Sequence, residues 1–279
     1  MGTTICGRCK AWINDREWRC RNCGRLLPGL FGQRRWLDTV FARDRSQTRV
    51  LIYVLVACYL VELLVSQFTP MRGERPRFSL DPSSLGMLRS GMLTPWIDDP
   101  LSTREQPWRL LTAMLLHGGM FHILMNGLSL LSLGGLIEAL FGPATMWVLF
   151  TLTGIAGNVA VLLFSEHPAL GASGGLFGLF GAILGWTVRR GGTVGIEMRR
   201  QLMRTLIINI GISCLPGISF AAHAGGFAAG FLATWLFRIA HERSGRESDG
   251  VRIAALACIG LLAAGAICAA VAALRWPVA

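Results

Sequence analysis

The sequence predicts an all-α polytopic membrane protein with seven candidate membrane-spanning helices and a small N-terminal zinc ribbon. Three observations lead there. Of the 279 residues, 52% are hydrophobic and only 15% are charged, where a soluble domain carries about 25% charged residues. Seven apolar runs, at 50–68, 119–141, 144–164, 173–188, 202–218, 221–240 and 253–274, approach or reach the length of a membrane span, which is roughly 20 residues. Lipid offers no partner to a bare peptide group, so such runs are helices. Finally, the first 23 residues hold two CxxC pairs.

Those pairs, Cys6-Gly-Arg-Cys9 and Cys20-Arg-Asn-Cys23, are separated by ten residues. The spacing brings four thiolates within reach of one tetrahedral ion, as in a zinc ribbon. Gly7 and Gly24 are expected to ease the two turns. A redox or disulfide pair is the competing reading, and a cytoplasmic location disfavours it. So short a segment has almost no core, and the metal would supply its folding energy. Four thiolates leave no open coordination position, so the expected zinc is structural and no cofactor serves catalysis. Nothing in the segment names a partner for the ribbon. Cys58, Cys214, Cys258 and Cys268 lie in or at the ends of apolar runs and read as small buried hydrophobes.

The ribbon is assigned to 1–28. A linker at 29–49 follows, in which Phe31, Trp36, Leu37, Val40 and Phe41 alternate with Arg34, Arg35, Arg43 and Arg45. That pattern suits a short helix lying on the membrane surface. The membrane bundle occupies 50–240, a loop 241–252, and the seventh helix 253–279.

A net charge of +11 raises the possibility of a nucleic-acid partner, but the placement of the charge argues against one. Arg34, Arg35, Arg43, Arg45 and Arg49 precede the first run. Arg189, Arg190, Arg199, Arg200 and Arg204 fall between the fourth and fifth, and Arg238, Arg243, Arg246 and Arg252 between the sixth and seventh. All three segments lie on one side of a seven-span topology, which the positive-inside rule makes the cytoplasm. The expected location is an inner or plasma membrane, bacterial, with the N-terminus cytoplasmic. No signal peptide is visible ahead of the first run. The external segment 69–118 is long, and it also carries arginines.

Polar side chains within spans are costly and point to function. Ser173 opens the fourth run in Gly-Ala-Ser-Gly-Gly-Leu-Phe-Gly-Leu-Phe-Gly. Gly174, Gly178 and Ala182 recur every four residues, with Gly181 and Gly185 one stripe over, so a second helix can approach closely. Ser173 then sits at a helix N-terminus, where free N–H groups favour negative charge. In the sixth run His223, Gly226 and Gly230 share one face. If the two glycine faces meet, His223 can serve Ser173 as general base. His122 and Asn126 share a face of the second run and can donate hydrogen bonds to an oxyanion. Each residue alone has a structural explanation: a back-bonded serine, a buried histidine, an interhelical hydrogen bond. Together they would need three separate coincidences.

These residues and their neighbours resemble the rhomboid intramembrane serine proteases over about 107–231. Trp108-Arg109 matches the family's Trp-Arg pair. His117-x4-His122-x3-Asn126 matches its HxxxxHxxxN pattern, and Glu138 in Gly-Gly-Leu-Ile-Glu matches its following glutamate. Gly171-Ala172-Ser173-Gly174 matches GxSG, and Ala222-His223-x2-Gly226-x3-Gly230 matches AHxxGxxxG. The resemblance implies a six-helix membrane bundle to which the seventh helix is appended, and a Ser173/His223 catalytic dyad that hydrolyses transmembrane segments of other proteins without a metal. It implies an oxyanion hole of His122, Asn126 and the Ser173 backbone N–H. His117 would tie the external loop to the helix top, and Arg109 and Glu138 would brace that loop. Phe177 stands where the family often has a tyrosine near the histidine, so packing is expected there without a hydroxyl. Trp96 and Trp108 would sit at the membrane interface.

Three other readings compete. A catalytically inactive, client-binding rhomboid-like protein would have lost one of the polar residues, and all are present. A transporter would show inverted repeats and mid-span charges, and neither is seen. A zinc-dependent regulator with spans as mere anchors does not require the two glycine faces.

Overall fold

The computed structural model describes residues 3–6, 8–14, 19–24, 33–42, 45–68, 79–95, 101–215, 217–236 and 247–275. Of the sequence expectations, those on Gly7, Phe31, Arg43, Trp96, Arg238, Arg243 and Arg246 lie outside these residues, as do the side chains of Arg34 and Arg35.

Two short strands, β1 (Thr3–Ile5) and β2 (Trp12–Asn14), pair antiparallel with Ile5 opposite Trp12. A short helix α1 (Gln33–Val40) follows. Its Leu37, and Phe41 just beyond it, are buried in the main core with Leu51 and Leu55. The amphipathic stretch therefore docks on the bundle with its apolar face, and Trp36 stays exposed. Asp38 anchors it further, its Oδ1 2.5 Å from Arg252 Nη1.

Among the described residues, seven long helices form the membrane part: α2 (Gln47–Gln67), α5 (Met120–Phe141), α6 (Pro143–Phe164), α7 (Ser173–Arg190), α8 (Gly192–Ser213), α9 (Phe220–Leu236) and α10 (Asp249–Arg275). Two short helices, α3 (Ser84–Ser90) and α4 (Arg109–Thr112), lie in the long connection between α2 and α5. By length and composition α2, α5, α6 and α10 suffice to cross a membrane, and α9 is apolar but shorter. Their outward faces carry exposed apolar side chains such as Leu60, Leu64, Leu128, Leu163 and Ile267, as expected of surfaces that meet lipid. Cys214 and Cys268 belong to this exposed set, not to the buried one expected for them; Cys258 is buried and Cys58 half-buried.

The fifth long helix differs from its expected bounds of 202–218. Gly191 and Gly192 both adopt positive φ (62° and 65°), a backbone region that favours glycine. The chain reverses there directly after Arg190, and α8 starts ten residues before the apolar run. Its first half includes Glu197, Arg199 and Arg200, Arg204 follows just past the middle, and it ends at Ser213.

One end of the bundle is held by a set of polar contacts. Glu138 Oε1, near the C-terminus of α5, accepts from Thr48 N (2.5 Å) and Thr48 Oγ1 (2.8 Å) at the start of α2. Glu247 accepts from Ala144 N (3.1 Å), Thr145 N (2.7 Å) and Thr145 Oγ1 at the start of α6. A carboxylate at a helix N-terminus satisfies free N–H groups and opposes the helix dipole. Trp147 Nε1 donates to Gln47 Oε1 (3.0 Å). This is the arginine-rich end. Glu138 thus braces α2 against α5 at that end and not the external loop: about four and a half helical turns separate it from His122 on the same helix.

At the opposite end the loop helices are held by buried polar contacts. Arg109, 1% exposed, donates from Nε to Gln106 Oε1 (3.0 Å) and from Nη1 to the carbonyls of Leu88 (2.9 Å) and Met92 (2.6 Å). Asn158 Nδ2 of α6 donates to Leu110 O (2.8 Å). Glu62 of α2, fully buried, accepts from His117 N (3.0 Å). The seventh helix lies against α6, α4 and α3.

Candidate active site

Helix α7 is enclosed by α5, α6, α8 and α9. Its glycines form the expected seams. A β-carbon at Gly226 would run into the carbonyl of Gly174, and one at Gly230 into that of Gly178. Gly181 and Gly185 meet the carbonyls of Phe227 and Phe231 in the same way. Thr234 Oγ1 closes the far end by donating to Ala182 O (2.6 Å). The backbones of α7 and α9 therefore lie in direct contact.

That contact brings the first residue of α7 to the fourth of α9. Ser173 Oγ lies 2.8 Å from His223 Nε2. Phe177, one turn along α7, stacks on the imidazole with ring centroids 4.0 Å apart and planes 14° from parallel. His223 is buried, while Ser173 is half-buried. The other imidazole nitrogen, Nδ1, is 2.6 Å from Ser213 Oγ at the end of α8. Ser213 was not among the residues singled out from sequence; the local trace it leaves is its i+4 spacing from Asn209, whose carbonyl its hydroxyl reaches at 2.7 Å.

The segment before Ser173 is pinned to the loop helices. Leu93 and Ala169 exchange two backbone hydrogen bonds of 3.0 Å, and Gly171 N donates to Ala113 O (2.8 Å). Gly171 has φ +121°. A β-carbon there would stand 2.8 Å from His122 Nε2 and 3.7 Å from Asn126 Nδ2. Both side chains thus converge beside Gly171, two residues before Ser173. His122 Nδ1 accepts from Gly118 N (3.3 Å), so in the neutral ring Nε2 carries the proton. Asn126 Nδ2 is buried without a hydrogen-bond partner among the described residues. A buried amide is normally paired, so a donor left free in this place fits a group that arrives with substrate. Helix α7 begins at Ser173 with no side chain capping its first N–H groups.

His117 lies nearby, and its backbone N–H donates to Glu62 Oε2 (3.0 Å). The ring packs edge-on against His122 at 5.2 Å, and both of its nitrogens lack a partner among the described residues.

The N-terminal cysteines form a second cluster. Cys6 Sγ and Cys23 Sγ are 3.7 Å apart, Cys9 Sγ and Cys20 Sγ 3.5 Å, and all four sulfurs lie within 4.8 Å of one another. A tetrahedron of 2.3 Å zinc–sulfur bonds has S···S edges of about 3.8 Å, so the set fits a tetrahedral metal ion. Each knuckle turns on a left-handed residue after its second cysteine, Lys10 (φ 60°) and Gly24 (φ 70°). Gly24 is as expected. The N–H of Ala11 directed at Cys9 lowers that thiol to about 6, with contacts from Asn22 and Cys20 adding to the effect. A thiolate is the form a metal binds.

Residues 104–240 match the family model of the Rhomboid domain. RHOMBOID-like protein 4 of Arabidopsis thaliana is 36% identical over 166 residues, which cover 57% of this chain and 41% of that protein. Rhomboid protease GluP of Bacillus subtilis (strain 168) is 33% identical over 145 residues, 49% of this chain and 27% of its own length. Putative rhomboid protease YdcA of the same bacterium is 32% identical over 132 residues, 46% of this chain and 66% of that protein. The chain spans less than half the length of the first two relatives.

Proposed function

The chain belongs to the rhomboid family, and from that premise we propose that it is an intramembrane serine protease that cleaves transmembrane segments of other membrane proteins. The observation that carries the reading is the 2.8 Å approach of Ser173 Oγ to His223 Nε2, a distance suited to proton transfer. Ser173 is the nucleophile. As its oxygen attacks the scissile carbonyl carbon, its proton passes to Nε2. The carbonyl oxygen becomes an oxyanion and takes hydrogen bonds from Asn126 Nδ2, His122 Nε2 and the Ser173 N–H. Collapse of the intermediate breaks the C–N bond, and Nε2 returns the proton to the leaving amine. Water then repeats the sequence on the acyl-enzyme, with His223 again taking and returning the proton.

This chemistry requires Ser173 to lie beside a water-filled cavity below the membrane surface, where polar groups are tolerable. Substrate segments of weak helicity are favoured, since the attacked peptide group must leave its helix.

The protein is integral to a membrane. Arg45, Arg49, Arg189, Arg190, Arg199 and Arg200 gather at the end away from Ser173, and the positive-inside rule makes that end, with the N-terminus, cytoplasmic. The relatives come from a plant and a bacterium, so the similarity assigns no organism. Cys6, Cys9, Cys20 and Cys23 hold a structural zinc in a ribbon spanning 1–28, set apart from the catalytic bundle at 50–240 and from the added helix at 253–279.

The test is reaction of the purified protein in lipid with a fluorophosphonate. The expected result is one adduct, on Ser173, absent from Ser173→Ala and formed slowly in His223→Ala. Wild-type protein that binds membrane clients yet forms no adduct would instead favour the inactive, client-binding reading.

A further inference from the structure

We propose that Ser213 is a positioning residue for this site: its oxygen accepts the Nδ1 proton of His223 and so holds the imidazole in the tautomer whose Nε2 can take the proton of Ser173. The inference rests on the Ser173/His223 reading and adds a third side chain to it.

The assignment follows from counting protons. A serine hydroxyl has one proton to donate and two lone pairs to offer. Ser213 Oγ has two close polar neighbours, Asn209 O at 2.7 Å and His223 Nδ1 at 2.6 Å. The Asn209 carbonyl can only accept, so the Ser213 proton lies on that line. If it pointed at His223 instead, two oxygens would face each other at 2.7 Å with no proton between them. The His223 contact must therefore be Nδ1–H donating to Ser213 Oγ. Neutral imidazole carries a single N–H, and Nε2 is then bare. That is the form the nucleophile requires, because Ser173 Oγ–H is 2.8 Å away and needs an acceptor.

Burial makes the choice of tautomer firm. Ser213 is 2% exposed and His223 7%, so a misdirected proton has no nearby solvent to satisfy it. The ring is held in plane at both nitrogens and on one face by Phe177. Through the reaction the Nδ1 proton stays in place. Nε2 gains the serine proton, the ring becomes an imidazolium with both N–H groups paired, and Nε2 later surrenders its proton to the leaving amine. Ser213 contributes orientation and a dipole to this cycle, not charge.

The position also has a local explanation. Ser213 ends α8, and Asn209 is one turn before it. Back-bonding from a serine to the i−4 carbonyl is a common local arrangement. Here it has the consequence of turning the oxygen lone pairs toward α9.

The proposal is tested in full-length protein in lipid by the rate of fluorophosphonate labelling in wild type, Ser213→Ala and Ser213→Thr, together with 15N spectra of histidine-labelled wild type referenced to His223→Gln. The expected results are a wild-type His223 protonated at Nδ1, a labelling rate about tenfold lower in Ser213→Ala, and recovery in Ser213→Thr, which keeps the hydroxyl. The labelling endpoint counts folded sites, so a variant that fails to fold shows a lost endpoint and not a slow rate. In that case the wild-type tautomer and the Thr variant decide. A wild-type His223 protonated at Nε2, a Ser213→Ala rate equal to wild type, or a Thr variant as impaired as Ala would each overturn the proposal. Labelling that persists in Ser173→Ala would overturn the dyad reading itself, so the two failures are distinguishable.

Discussion

The carbonyl oxygen of Gly174 occupies the space where a β-carbon on Gly226 would stand. The obstacle is backbone, inside a seam that continues at Gly178 and Gly230. Neither helix can yield there without moving the other. Overpacking of this kind costs about 1–3 kcal/mol. Gly226→Ala is expected to lower thermal stability in detergent and to remove most labelling of Ser173, because the shift that admits a methyl group also separates Oγ from Nε2. A melting temperature and labelling rate equal to wild type would show that the helices do not touch there.

Asn126 and His122 are expected to act on the transition state alone. Removal of one oxyanion donor typically lowers kcat by about 10²- to 10³-fold. Asn126→Ala should show such a loss with KM nearly unchanged. Steady-state kinetics on a membrane-embedded substrate separate the two constants. A rise in KM with kcat preserved would assign Asn126 to substrate binding instead.

Glu62 has a structural role that kinetics should not confuse with chemistry. Its carboxylate accepts the backbone N–H of His117, which leads into the helix carrying His122 and Asn126. Glu62→Ala leaves that buried N–H unpaired, at a cost of about 1–3 kcal/mol. The expected outcome is a lower midpoint of thermal inactivation, with labelling of the surviving folded fraction still on Ser173. An unchanged midpoint would contradict the assigned role.

Metal removal should spare the membrane site. The four sulfurs close among themselves, and the proposed chemistry uses none of them. Stripping the metal with a chelator, or Cys6→Ser with Cys9→Ser, is expected to abolish zinc content measured by elemental analysis while substrate cleavage persists. Cleavage that disappears with the metal and returns on adding zinc would tie the ribbon to activity.

Much of the site was legible in the sequence because its parts repeat on helical spacing. Small residues at 174, 178, 226 and 230 reveal a seam wherever they occur, and the lone polar residues beside them have few other reasons to be in an apolar run. The long helices other than α8 follow from hydropathy. What was not legible is of two kinds. Glu138 and Glu247 cap helices distant in sequence, and a carboxylate near a helix end looks the same whichever helix it serves. Ser213 lies within an apolar run, where a back-bonded serine is common. Its meaning depends on how α8 is placed, and that turns on Gly191 and Gly192, whose positive φ shifts the helix away from the bounds of its apolar stretch.

The most direct measurement is cleavage of a model single-span substrate by the purified protein in liposomes, comparing wild type with Ser173→Ala and His223→Ala. Two defined fragments are expected from wild type and intact substrate from both variants, each folded by thermal melt. Fragments of the same size from either variant would contradict the dyad, since hydrolysis would then proceed without the hydroxyl or the imidazole that the packing of α7 on α9 brings together.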